Sequence, residues 1–307
     1  MKKHLILLLT LVTALCLGMG AANALTFTDD RGREVTVENP ERGAALLASY
    51  AKVWQLAGGN VVATPHDAWD DLHLDLAPDT VNIGKVNSIS LELLLSAKPD
   101  FILAGTAYKQ PLEWEEMFAS LGIPVAYFET DDFASYLRML DILTQLTGDR
   151  EAYARYGTDV QETIDETIAK GKERTVSNGS PKVLTMTAAA NFVKAKNSGT
   201  VLGAILKDLG CVNIADSDTM LLENLSVERI VAEDPDYIFI VQRGDDTEGM
   251  RAYVRTTLEE DPLWQSLTAV KNGRFFIVDK ELYGMKPNER WGEAYAVIEA
   301  ILEGNEG

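Results

Sequence analysis

One segment of this sequence is written twice. Residues 89–104 read ISLELLLSAKPDFILA and residues 225–240 read LSVERIVAEDPDYIFI, at a constant offset of 136 residues with no gap. Ser90 matches Ser226, Glu92 matches Glu228, Pro99-Asp100 matches Pro235-Asp236, and Phe101-Ile102 matches Tyr237-Ile238. Just upstream, Val81-Asn82-Ile83 recurs as Val212-Asn213-Ile214. The local physics of the copies is the same. The serine can cap a helix start. The glutamate falls in the first turn, where the helix dipole favours negative charge. Proline then ends a short helix, and a buried strand follows. Two such copies require two lobes of like topology facing each other. From one copy the glutamate is simply a first-turn charge; a matched pair, one per lobe, makes Glu92 and Glu228 candidates for a shared role.

Around the repeats, short apolar strands alternate with helices. Strands are expected at Ala44–Ala48, Val61–Ala63, Phe101–Ala104 and Val125–Phe128, then at Val183–Thr187, Tyr237–Val241 and Phe275–Val278. The helices between them are expected at Ala51–Ala57, Leu91–Lys98, Leu112–Leu121 and Phe133–Thr147, then at Thr200–Leu209, Val227–Glu233, Glu248–Glu259 and Asn288–Leu302. That alternation means βαβ units and mainly parallel sheets, so the fold class is α/β with two Rossmann-like lobes. A hairpin over residues 25–37 precedes the first lobe.

Between the lobes lies a different pattern. Residues 149–174 contain no proline, and Tyr153, Tyr156, Val160, Ile164 and Ile168 recur at spacings of three and four. This is one narrow apolar stripe on a long helix, spanning roughly 38 Å at 1.5 Å per residue. Ser177-Asn178-Gly179-Ser180-Pro181 ends it with turn chemistry. The expected organisation is a lobe at 25–147, a single linking helix at 148–176 and a second lobe at 177–307.

Residues 1–24 read as a signal peptide: Lys2-Lys3, an apolar run from Leu5 to Leu17, and Ala22-Asn23-Ala24 as cleavage site. The run is shorter than the ~20 residues that span a bilayer. The alternative is lipid anchoring at Cys16, which Leu15 disfavours because a small residue is wanted there. The rest of the chain is therefore expected outside the cytoplasm, in a periplasm. The net charge of the whole sequence, −19, opposes nucleic acid and anionic lipid as partners. Cys211 alone remains, so no intrachain disulfide forms, and it reads as an apolar filler.

No G-x-S-x-G elbow, H-E-x-x-H, P-loop or G-x-G-x-x-G is present, so no catalytic residue and no resident cofactor are expected. A zinc or manganese trap would need several histidines and a carboxylate. His66 and His73 with Asp67, Asp70, Asp71 and Asp75 are its only candidates, and a polar surface loop explains them as well.

Six stretches occur in a telling order: LTFTDDRGREVTVENPERG, ISLELLLSAKPDFILAG, LGIPVAYFE, the linking helix, LSVERIVAEDPDYIFIV and PLWQSLTAVKNGRFFIVD. In these the chain resembles the periplasmic binding proteins of ABC importers for ferric siderophores, cobalamin and haem, over essentially its whole length after the leader. It departs from many relatives at 64–80, TPHDAWDDLHLDLAPDT. The resemblance implies a monomer with two lobes joined by one long helix and limited closing motion. It also implies that Glu92 and Glu228 dock to arginines on a permease dimer that works with ATPase subunits. The ligand it implies is a ferric siderophore first, with cobalamin or haem as alternatives.

Ligands of open α/β sheets bind beyond the carboxyl ends of the strands. The loops expected to meet one here are Ser49-Tyr50, Thr64 to Asp71, Gly105 to Gln110, Ala188 to Lys196, Gln242 to Asp245 and Lys280 to Lys286. Tyr50, Trp69, Tyr108, Phe192 and Tyr283 are the candidate apolar faces. Lys109, Lys194, Arg243 and Lys286 are the candidate partners of ligand oxygens. For a haem iron, the candidate ligands are Tyr50, His66 and Tyr108.

Overall fold

The computed structural model describes residues 24–223 and 225–304. The leader reading, with Cys16, falls on residues outside these. A hairpin of Ala24–Thr28 and Glu34–Glu38 opens the chain, with Phe27 opposite Val35. Two separate five-stranded sheets follow.

In the first sheet all strands are parallel, in the spatial order Val81–Asn82, Val61–Thr64, Gly43–Ala45, Phe101–Gly105, Val125–Phe128. In the second, Lys182–Ala189 pairs in parallel with Tyr237–Gln242, which pairs with Phe275–Val278. The far edge of Lys182–Ala189 meets Val212–Asn213 in parallel near its start and Phe192–Lys196 antiparallel along its end. Both sheets reverse their winding at one place: between Gly43–Ala45 and Phe101–Gly105, and between Lys182–Ala189 and Tyr237–Gln242. Such switch points open a crevice at the carboxyl ends of the strands.

The written repeat occupies equivalent places in the two sheets. Ser90 caps helix Leu91–Ser96 and Ser226 caps helix Val227–Glu233, each accepting at 3.3 Å from the N–H three residues on. The repeated aspartate ties its strand to the founding strand of the sheet. Asp100 accepts from the backbone N–H groups of Glu41 and Arg42, both at 2.9 Å. Asp236 accepts from that of Lys182 at 2.8 Å. Each carboxylate thereby pins the start of one strand beside the next.

Several local expectations change. The strand expected at Ala44–Ala48 ends at Ala45, and Ser49-Tyr50 lie in helix Ala48–Leu56 instead of a loop. The segment Ala188 to Lys196 is not a loop: the chain stays in strand to Ala189 and returns as strand Phe192–Lys196. The helix expected at Leu112–Leu121 is two, Lys109–Glu113 and Glu115–Ser120. Pro111 is tolerated because it lies in a first turn, where its missing N–H has no helical acceptor to lose.

The linking helix runs from 150 to 178 without a break, as Arg150–Tyr153, a π-helical turn Ala154–Thr158, and Asp159–Asn178. Its apolar stripe packs as expected, with Ile164 buried and Tyr153, Tyr156, Val160 and Ile168 half-covered. A second face is also used. The C-terminal helix Trp291–Glu303 lies along it, and Arg174 forks onto Glu299 (Nε–Oε1 2.9 Å, Nη2–Oε2 3.1 Å) with side chains only 8 % and 4 % exposed. Arg174 also donates to Leu209 O at 2.8 Å.

The lobes share more than this helix. Trp291 packs edge-on against Phe133 at 6.1 Å and lies 6.5 Å from Tyr136, both of the first lobe. Lys52 pairs with Glu289 at 2.9 Å, and Asn288 Nδ2 donates to Ser49 O at 3.4 Å. One hydrophobic cluster therefore runs through both lobes.

Replacing Arg174 with Met should leave Glu299 buried without its counter-charge. Breaking one side of a buried pair costs about 3–5 kcal/mol, so the urea midpoint should fall steeply. Adding Glu299→Leu should restore most of it. Equal midpoints for Arg174→Met and the parent would contradict the assignment.

Candidate functional site

The crevices of the two sheets open toward each other and form one cleft of about 600 Å³. Its first-lobe wall is built from the chain just beyond Gly43–Ala45 (Leu47, Tyr50), the chain beyond Phe101–Gly105 (Thr106 to Tyr108) and the chain beyond Val125–Phe128 (Glu129, Thr130, Asp131). Gly105 lies at its base, where a Cβ would come within 3.0 Å of Leu47 and 3.1 Å of Tyr108. A side chain there would require Leu47 and Tyr108 to give by a few tenths of an ångström.

The second-lobe wall is the face of a β-ribbon. In the antiparallel pairing, Thr185 stands opposite Lys196 and Thr187 opposite Lys194. Alternation along the strand then places Phe192, Lys194 and Lys196 on the cleft face, while Val193 and Ala195 are buried in the second-lobe core. The Thr187 hydroxyl is buried and has no protein partner. Arg243 extends from the end of Tyr237–Gln242 and donates to Gly284 O at 3.2 Å. Tyr283 to Lys286 complete the wall.

Charge in the cleft runs against the charge of the chain. Lys194, Lys196, Arg243 and Lys286 line it, opposed by only Glu129 and Asp131, in a protein of net charge −19. Lys286 reaches across and pairs with Asp131. Burial raises the pKa of Tyr108, and nearby Arg243 only partly opposes this. Tyr108 is therefore a neutral phenol that can hydrogen-bond to a ligand across from the Arg243 guanidinium.

The residues singled out from sequence divide. Tyr108, Phe192, Lys194, Arg243 and Lys286 all meet in the cleft, and Tyr50 and Tyr283 also line it. The last two are structural as well. Tyr50 is 3 % exposed and donates to Phe128 O at 2.7 Å; Tyr283 is 4 % exposed and donates to Ala294 O at 2.9 Å. With its hydroxyl committed and burial raising its pKa, Tyr50 is not poised to bind iron as phenolate.

Trp69 and Lys109 are absent from the lining. Trp69 packs against the first-lobe core instead, drawn there by its apolar area. Lys109 is exposed at the start of its short helix. Sequence reasoning missed Glu129, Asp131 and Thr187, and did not single out Lys196 within the expected segment Ala188 to Lys196. For Lys196 the signal was present: Phe192-Val193-Lys194-Ala195-Lys196 alternates with the period of a strand.

The acidic segment 64–80 stands beside the cleft, not in it. After strand Val61–Thr64 it forms a one-turn helix, Asp67–Asp70. His66 Nε2 pairs with Asp70 at 2.5 Å, and His73 Nδ1 meets Trp69 O at 3.0 Å. Among the described residues no three His, Cys, Asp or Glu side chains gather as a metal ion requires. The segment does reach the other lobe: Asp71 pairs with Lys280 at 3.0 Å, and Lys280 also pairs with Asp245 at 2.6 Å. Burial works against the Lys280 ammonium, but these two carboxylates outweigh it and hold its pKa above the ordinary lysine value. Cys211 is buried, and burial pushes its thiol up to about 12.

Glu92 and Glu228 are exposed, each in the first turn of its helix. Glu228 accepts from the Ser226 hydroxyl at 2.9 Å, and hydrogen bonds from its own N–H and from that hydroxyl lower its pKa. It stays ionised.

The chain belongs to the periplasmic binding protein family, whose sequence model matches residues 44–282. It is 26 % identical over 280 residues to the Fe(3+)-citrate-binding protein YfmC of Bacillus subtilis, covering 85 % of this chain and 81 % of that one. Among solved structures, the fold superposes on the periplasmic catecholate-siderophore binding protein VctP of Vibrio cholerae with a TM-score of 0.70 at 16 % identity, over 92 % of this chain and 100 % of that one. A periplasmic haem-binding protein from Pseudomonas aeruginosa gives 0.70 at 19 % identity, over 87 % and 94 %.

Two cleft substitutions should behave differently. Arg243→Ala should leave thermal stability near that of the parent and weaken ligand binding by roughly 5- to 150-fold, the effect of losing a contact worth about 1–3 kcal/mol. Tyr50→Ala should instead lower stability by about 3–5 kcal/mol, because it empties a packed aromatic site. Calorimetric melts beside binding titrations check this. A stable Tyr50→Ala protein would contradict its structural role.

Proposed function

We propose that this protein is the extracytoplasmic substrate-binding component of an ABC importer, and that it captures a ferric chelate between its lobes for delivery to a membrane permease. The observation that carries this reading is the cleft itself. It is large enough for a chelate of drug-like size, aromatic on both walls, and basic within an acidic protein. Iron chelates built on carboxylates or catecholates present oxygens that Lys194, Lys196 and Arg243 can meet with charge-assisted hydrogen bonds. The activity is capture and release, with no covalent step. Kinship with binding proteins for ferric citrate and siderophores supports the same class.

Delivery uses the repeated glutamates. Glu92 and Glu228 are exposed, in equivalent helix starts of the two lobes, so a two-fold permease dimer can present one cationic site to each. The protein acts as a monomer on that dimer. Iron uptake into membrane vesicles carrying the cognate permease and ATPase tests the proposal. Uptake should require the binding protein and collapse for the Glu92→Lys/Glu228→Lys double variant, since losing one partner of an interfacial charge pair costs about 2–5 kcal/mol per site. Chelate affinity of the free variant should equal that of the parent. Full uptake by the double variant would refute the docking role.

A further inference from the structure

The cleft's charges are sorted by lobe. Both acids, Glu129 and Asp131, stand on the first lobe, and the four cations stand on the second. One pair crosses the gap: the Lys286 ammonium meets the Asp131 carboxylate, with side chains 20 % and 43 % exposed. Lys286 is also held in an uncommon backbone state, with φ 142° and ψ 129°. Residues with a side chain rarely adopt this region, whereas glycine enters it at little cost.

We infer that Lys286 selects the ligand by charge and that Asp131 is its internal rival, a carboxylate that holds Lys286 until an anionic chelate replaces it. This rests on the reading of the cleft as a ferric-chelate site and names the class it selects. An anionic chelate gives Lys286 a new partner and enters among Lys194, Lys196 and Arg243, while half-exposed Asp131 turns to water. A neutral chelate gives Lys286 no substitute. It leaves the Lys286–Asp131 pair closed and gains no contact from either. Lys286 thus discriminates by charge, and Asp131 sets how much of that contact an anionic chelate keeps.

The experiment is a set of titrations with ferric citrate, a ferric tricatecholate and ferrichrome, a neutral trihydroxamate, against the parent and its variants. Each variant is first checked by circular dichroism melting. Asp131→Asn removes the rival charge and should tighten the better-bound anionic chelate by about tenfold, with ferrichrome affinity moving by no more than about twofold. Lys286→Met should weaken the anionic chelate, and most of the gain from Asp131→Asn should vanish in that background. Asp131→Ser repeats the test should the Asn variant fold poorly. Unchanged or weaker anionic binding by Asp131→Asn overturns the proposal, as does a gain of equal size without Lys286. A parent that prefers ferrichrome overturns it too, while leaving the chelate reading in place. A folded parent that binds none of the three overturns the chelate reading and the proposal together.

Discussion

Trp291 is the residue through which the two lobes hold their places. It comes from the C-terminal helix, yet its ring packs among Phe133 and Tyr136 of the first lobe at 6.1 and 6.5 Å. Aromatic pairs of this kind add about 0.5–1.5 kcal/mol each beyond their area burial. Here they also make one continuous core from what the topology would leave as two. The linking helix braces that core from the side, through its own apolar stripe and the buried Arg174–Glu299 fork. With the lobes fixed in this way, two sheet crevices that would each face water face one another.

The walls so opposed differ in kind. The second lobe offers a β-ribbon whose cleft face carries lysines and threonines, and whose other face is core. The first lobe offers chain ends beyond three parallel strands, with Tyr108, Glu129 and Asp131 among them. An ion in this partly enclosed space is screened less than one on the surface. Four cations there thus count for more than the acidic exterior, which mainly keeps the protein soluble and solvated.

Much of the architecture is legible in the sequence because it rests on periodicity. The repeat at 89–104 and 225–240 predicts two lobes, and its serines do cap helices as the pattern requires. Its aspartates are less readable. Asp100 and Asp236 act on neighbouring strands some 55 residues away in sequence, near Arg42 and Lys182, and no local pattern reports that distance. The site is legible only in part. Tyr108 and Arg243 follow from their places beyond strand ends, Lys194 meets the cleft from within strand Phe192–Lys196 and not from a loop, and Trp69 is drawn into the core by packing that sequence does not reveal. Asp131 escapes notice for another reason: in so acidic a chain one aspartate has no distinguishing mark until its partner Lys286, 155 residues on, is seen beside it.

The central claim is that a ferric chelate lies between the lobes. Anomalous X-ray scattering at the iron edge from crystals soaked in ferric citrate locates the metal without reference to any assumed pose. The account predicts one iron peak in the cleft between Tyr108 and Arg243, with chelate oxygens toward Lys194 and Lys196. An iron peak on the acidic segment at His66, Asp70 or Asp71, with an empty cleft, would contradict it.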